Sequence, residues 1–265
     1  MNKPVTLITY SILFLFSNIL SAQNRVKAAE DEDSKRDTKT FSIQSLDGKD
    51  QVVHIMPDYP KHVLRISCLK DTISLLDYWD VPPETVMLNK SFIKLEYAVR
   101  GGSDLGLGNM IILCVNNNKL YEAMHVLRYI DSQLSYVEDE KNFNEHSNYV
   151  IKVTLSGNTK NNYKLNISVH DEVKSTSNPE SIYNYQNQSV LNFDVNKNVF
   201  YSIKDDLYGS YKVYLPGRKK KAKQKIRGNF PVIILGKETY YFIKDSWYSI
   251  GRDNELSGYT SRNIK

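Results

Sequence analysis

The stretch VIKVTLSGNTKNNYKLNISVH, Val150 to His170, carries the reading of the fold. Ile151, Val153 and Leu155 alternate with polar residues. After SGNTKNN the alternation resumes, with Tyr163, Leu165, Ile167 and Val169 on one side and Lys164, Asn166, Ser168 and His170 on the other. A period of two puts every second side chain on the same face of an extended backbone. The Ser, Gly and Asn residues between the runs are turn formers, so the two segments read as one antiparallel hairpin.

The same unit recurs outward from this point. TFSIQSLDGKDQVVHIM turns at Asp47-Gly48, a dipeptide that accepts the positive φ of a tight hairpin. SVLNFDVNKNVFYSI turns at Asn196 to Asn198, FIKLEYAV supplies a further strand, and PVIILGKETYYFIKDSWYSI reads as three strands broken at Gly236-Lys237 and near Asp245-Ser246. One segment competes. In KLYEAMHVLRYID, residues 119–131, Leu120, Ala123, Met124, Leu127 and Ile130 fit helical spacing. As a strand, Tyr121, Ala123, His125, Leu127 and Tyr129 share a face and follow the apolar run MIILCV across Asn116 to Asn118. The adjacent strand and turn favour the strand, with one short helix near 119–131 as the alternative. The expected fold is all-β: an antiparallel meander closed as a barrel or packed as a two-layer sandwich.

The first 22 residues have the layout of a secretory signal peptide, with Lys3, an apolar run from Val5 to Leu20, and small residues at Ser21 and Ala22. Residues 23–40 are charged nearly throughout and lack the apolar surface that repays ordering, so a flexible leader is expected there. Residues 41–265 then form a single all-β domain, long enough to bury a core without covalent staples. No second apolar run is long enough to span a bilayer, so no transmembrane span is expected in the mature chain. Export to the periplasm or the extracellular space follows, and the richness in Asn, Lys, Ile and Tyr suggests a bacterial source.

Charge is local. The chain has 35 Lys plus Arg against 30 Asp plus Glu. Seven of the cations fall in the ten residues from Arg218 to Arg227. Leaving out these seven and Lys3 turns the excess of five into a deficit of three. In an extended backbone Lys219, Lys221, Lys223, Lys225 and Arg227 line one side, a ridge suited to an anionic surface polymer or lipid headgroups. The bland account is a solvated connection, or lysines guarding a sheet edge against aggregation. Such a focal tract does not describe a general nucleic-acid binder, whose cations spread over a whole face.

Other signals are weaker. Tyr240, Tyr241, Trp247 and Tyr248 cluster near the carboxyl end and would suit a carbohydrate or peptide groove, although sheets use the same residues for packing. RGGSDLGLGN, residues 100–109, lacks the Gly-Lys-Ser/Thr ending of a phosphate loop and precedes an apolar strand, so it reads as a connection in which Asp104 is a loop-borne carboxylate. His54, His62, His125, His146 and His170 show no metal-ligand spacing, and His170 beside Asp171 and Glu172 reads as a strand end. Cys68 and Cys114 point into apolar runs. Export leaves a disulfide between them open, which spacing alone does not decide. No cofactor motif and no catalytic residue is assigned. Two classes of function remain: a non-enzymatic ligand- or surface-polymer-binding module of the bacterial envelope, and a secreted hydrolase using loop-borne carboxylates such as Asp104.

Overall fold

The computed structural model describes residues 32–79, 81–99, 104–138, 141–175, 181–214, 222–251, 254–259 and 261–262. The signal-like segment and most of the leader lie outside them. Within them the chain is nearly all β-structure, as the period of two requires, its pairs antiparallel save one, and the helix considered at 119–131 is instead part of a long strand.

Three sheets follow one another. The first is a meander of β1 (Lys39–Gln44), β2 (Asp50–Asp58), β3 (Val63–Cys68) and β4 (Asp71–Leu75), with β18 (Ser261–Arg262) returning to pair with β4. The second is an eight-stranded meander: β5 (Glu84–Asn89), β6 (Phe92–Val99), β7 (Leu105–Asn116), β8 (Lys119–Glu138), β9 (Lys141–Ser156), β10 (Lys164–Ser175), β11 (Ser181–Asp194) and β12 (Val199–Tyr201). The third is a closed five-stranded barrel of β13 (Ile203–Tyr214), β14 (Ala222–Leu235), β15 (Glu238–Ile243), β16 (Ser246–Ile250) and β17 (Glu255–Gly258), in which β17 closes on β13 in parallel.

The turns sit where turn chemistry places them. Gly48 has φ +90° between β1 and β2, and Asn117 and Asn118 both have positive φ between β7 and β8, as a two-residue hairpin loop demands. Asp194 accepts hydrogen bonds from the N–H groups of Asn196 and Lys197, fixing the turn into β12. The β15–β16 turn uses Lys244 and Asp245, both with positive φ.

The middle sheet is covered on both faces. Ile93, Leu95, Ile111, Leu113 and Val115 pack against Ile43, Val53, Ile55, Leu64 and Ile66 of the first sheet. Phe92, Met110, Ile112 and Cys114 face the opposite way, toward Ile151, Leu165 and Ile167 of the later strands and Ile233, Tyr240 and Trp247 of the barrel. A strand covered on both sides reads as a continuous apolar run, which is why MIILCV in β7 shows no alternation.

Three expectations change. Cys68 and Cys114 are buried free thiols in the two different clusters, on opposite sides of the middle sheet, so the bridge considered between them is not formed. The stretch read as a connection at 100–109 is strand from Leu105 onward. Its Gly108 lies under the ring of Tyr129, with which a Cβ there would overlap, so the glycine serves close ring packing. Residues 32–36, inside the segment expected to be a flexible leader, form a helical turn held on the first sheet. The Tyr59 hydroxyl donates to Asp37 at 2.7 Å and the Tyr59 N–H to Ser34 Oγ at 3.2 Å.

The barrel docks on β8 through Trp247, whose indole N–H donates to the backbone carbonyl of Glu122 at 2.8 Å. Trp247→Ala is expected to cost about 3–5 kcal/mol of stability. Trp247→Phe keeps most of the ring burial but leaves that carbonyl without its donor, for a loss of about 1–3 kcal/mol. Urea denaturation of the two variants checks the order.

Candidate functional site

The hairpin β13–β14 carries the basic ridge. Lys219 and Lys221 lie outside the described residues, whereas Lys223, Lys225 and Arg227 are exposed along β14, with Gln224 and Ile226 turned inward. The alternation expected of an extended backbone therefore holds over the described part. Across the ladder, Lys223 stands opposite Lys212, Lys225 opposite Ser210, and Arg227 opposite Tyr208. The Arg227 guanidinium lies 5.6 Å from the centre of the Tyr208 ring, and Tyr208 is 58% exposed. Tyr214 is 39% exposed on the same outward row. Lys212 has a distant acidic neighbour, Glu255, at 3.8 Å. The result is a strip of four cations interleaved with two exposed rings. Like charges directly opposed across a sheet are unfavourable, and Lys212 facing Lys223 is such a pair.

The carboxyl-terminal aromatics are not a surface groove. Tyr240 and Trp247 are fully buried, Tyr241 is 8% exposed with its hydroxyl on Asp205 at 2.9 Å, and Tyr248 packs inside the barrel. Their polar tips serve the fold, because the Tyr240 hydroxyl accepts from the Leu127 N–H at 3.3 Å much as Trp247 serves Glu122. Asp104 is exposed just before β7 and lines none of the four described cavities. His170 lies within β10 rather than at its end, 3.9 Å from Glu172.

A second constellation was not visible in the sequence. In β8 the register with β7 shifts twice, so that Leu113 faces Glu122 while Ile112 faces Met124, and Asn109 faces Leu127 while Gly108 faces Tyr129. Ala123 and Arg128 are thus extra residues, the mark of β-bulges. In a regular strand Glu122 and His125 point to opposite faces. The bulge at Ala123 brings them to one face, with His125 Nδ1 3.0 Å from Glu122 Oε2. His125 Nε2 lies 3.0 Å from the Tyr97 hydroxyl, the Asn109 amide donates to Tyr97 at 3.1 Å, and the same nitrogen lies 3.5 Å from Asp77 Oδ2.

The direction of these bonds follows from what each group can donate. A carboxylate only accepts, so Nδ1 carries the hydrogen directed at Glu122, while the Tyr97 hydroxyl, which accepts from Asn109, has Nε2 and Asp77 as its two other neighbours. The chain ends on a carboxylate at each side. One oxygen of each, Asp77 Oδ1 and Glu122 Oε1, is buried without a partner among the described residues. Such an arrangement can relay protons, but His125 is 0% and Tyr97 3% exposed, and the His125 ring is covered by Tyr259 at 4.8 Å. It is a polar junction between the first sheet, the middle sheet and the tail of the barrel. Among the described residues no group of His, Cys, Asp and Glu side chains is arranged to hold a metal ion, and no helix is long and apolar enough to cross a membrane.

No protein-family model matches the chain, and comparisons with curated proteins and with solved structures give no match. The functional reading therefore rests on the residues alone.

Burial raises the Asp77 carboxyl above its ordinary value of 3.8, against a smaller opposing pull from His125. Below pH 3.8 the group is protonated in both folded and unfolded chains and costs nothing. As pH rises the unfolded chain ionises first, so stability falls until the folded value is passed. Asp77→Asn is expected to remove that fall, gaining stability relative to the native sequence as pH rises from 3.8 and levelling off above the folded value. Urea denaturation at a series of pH values measures it. A difference independent of pH would mean that Asp77 is not desolvated.

Proposed function

We propose that this protein is an exported, non-enzymatic β-rich module of the bacterial envelope that binds an anionic surface polymer through the outer face of β13–β14. The observation that supports it most is the opposition of Lys212 to Lys223, continued by Lys225 and Arg227 on the same outward row. An anionic chain laid along the row relieves the repulsion. Its hydrocarbon or ring portions rest on Tyr208 and Tyr214, whose exposed faces have a polar tip and an apolar body. The secretory layout of residues 1–22 supports export.

A second reading has its own observation. Among the described residues β14 pairs with β15 only from Val232 to Leu235, so its first half presents a free edge beside β13. Cations on such an edge discourage addition of another strand. The hydrolase reading has no comparable support, since Asp104 lines none of the described cavities.

Duplex DNA, used as a polyanion of known line charge, separates the two. With four cations engaged, log affinity is expected to fall against log salt with a slope of about −3.6. Replacing Lys223, Lys225 and Arg227 together with Gln reduces the slope to about −0.9 and abolishes binding to heparin at moderate salt. Unchanged binding of the triple variant overturns the proposal, as does capture by anionic lipid vesicles with no affinity for either polymer. Self-association of the triple variant, with no polymer bound by the native chain, establishes edge protection instead.

A further inference from the structure

A cavity of approximately 260 Å³ lies where the β14–β15 turn meets the inner side of β8 to β11. Its apolar wall is Leu127, Ile130 and Val169, and three aromatic rings, Tyr149, Tyr183 and Tyr185, complete it. Tyr183 and Tyr185 are two residues apart on β11, so they share a face. Their planes are 9° apart and their centres 6.5 Å. The turn is brought onto them by Gly236, which has φ +61° and would place a Cβ 3.3 Å from the Tyr185 ring. The opening has a small polar set of both signs: Asp171, Glu238 and Lys237.

What distinguishes this cavity is polar capacity that the protein leaves unused. The Tyr149 hydroxyl is buried without a hydrogen-bond partner, in a residue only 7% exposed. Orphaned buried hydroxyls are uncommon, because each forfeits its hydration for nothing. Tyr149 lines the cavity together with Asp171 and Glu238. Burial raises its phenol above the ordinary value, and Glu238, Asp171, Tyr259 and Tyr185 push it the same way. The side chains of Asp171 and Glu238 make no hydrogen bond or ion pair among the described residues. Lys237 lies over the Tyr183 ring at 4.3 Å, not on either acid.

A ligand that satisfies this set needs a flat apolar face for a ring or the aliphatic wall, and several groups that both donate and accept. The carboxylates require donors, Lys237 requires an acceptor, and Tyr149 requires either. A hydroxyl meets all three demands with a single atom, where a carboxamide needs two atoms held in one plane. The volume falls just below the range of about 300–1,000 Å³ for drug-sized ligands, which limits the occupant to one ring. From these features we infer that the cavity binds a single pyranose unit, stacked in the Tyr-lined slot with its hydroxyls on Tyr149, Asp171, Glu238 and Lys237. A quaternary ammonium also suits aromatic rings and acids, but it offers nothing to the Tyr149 hydroxyl and meets the fixed charge of Lys237. The site is separate from the basic strip on β13–β14, and neither reading depends on the other.

The test uses the full chain and saturation-transfer NMR with a panel of methyl pyranosides in gluco, galacto, manno, fuco and N-acetylglucosamine forms, with choline as the cationic arm. At least one pyranoside is expected to bind in the millimolar range or tighter, with transfer strongest at ring protons on one face. Tyr149→Phe and Asp171→Asn each weaken it about tenfold or more. Tyr149→Phe removes only the orphaned hydroxyl, so it should leave thermal unfolding unchanged or raised, which separates loss of the site from loss of the fold. The Lys223, Lys225 and Arg227 to Gln variant binds the pyranoside as the native chain does. Absence of transfer across the whole panel overturns the inference. So does binding of choline alone, or a pyranoside affinity that Tyr149→Phe and Asp171→Asn leave intact.

Discussion

The arrangement of the three sheets depends on two interruptions in one strand. Where β8 takes up an extra residue at Ala123 and again at Arg128, its ladder with β7 is disturbed. Backbone groups beside the bulges then need partners that the neighbouring strand does not supply. The barrel supplies them, the Trp247 indole at the Glu122 carbonyl and the Tyr240 hydroxyl at the Leu127 N–H. The same rings also fill the cluster between the barrel and the middle sheet. Two irregularities thus act as sockets: they fix where the barrel sits, and large aromatic side chains with one polar atom are the residues that fit.

That arrangement accounts for what could and could not be seen in the linear sequence. Alternation is a property of each strand alone, so β9, β10 and the hairpin turns at Gly48, Asn118 and Gly236 were legible before any packing was known. The free edge and cation row of β14 were legible for the same reason, since Lys223, Lys225 and Arg227 need only an extended backbone to align. A bulge is different. It shifts the parity of everything after it, and nothing in YEAMHV announces one. Strict alternation therefore set Glu122 and His125 on opposite faces and hid the junction they form with Tyr97 and Asn109. The carboxyl-terminal aromatics misled for a related reason: a polar tip looks like a ligand contact until the backbone atom that needs it is known. Gly106 and Gly108 suggested a loose connection, whereas Gly108 makes room for the Tyr129 ring.

The polar groups of the molecule fall into two regimes. Near β8 they are buried and committed, each member of the Asn109, Tyr97, His125 and Glu122 series restricting the next. Substituting any of them strands another in a medium that solvates it poorly, so the series specifies one packing of three sheets more than it adds net stability. On β13–β14 and around Tyr149 the polar groups are uncommitted. Lys212 and Lys223 face each other with only Glu255, 3.8 Å from Lys212, set against them, and the side chains of Asp171 and Glu238 near Gly236 make no hydrogen bond or ion pair among the described residues. The unpartnered oxygens of Asp77 and Glu122 are sealed in the interior, whereas the hairpin and the Tyr149 cavity open to solvent, which directs attention to those two places as points of contact.

The pairing of β18 with β4 has a consequence for how the chain assembles. Ser261 and Arg262 complete the edge of a sheet whose other strands all lie before residue 76. That sheet forms by local hairpins, yet its outer strand arrives only after both other sheets have been made. Closing so long a loop is slow compared with hairpin formation. During synthesis the β4 edge stays open to any extended segment that reaches it first. Ser261 and Arg262 therefore act as a latch, and a chain cut before Ser261 would keep its cores while exposing the β4 edge.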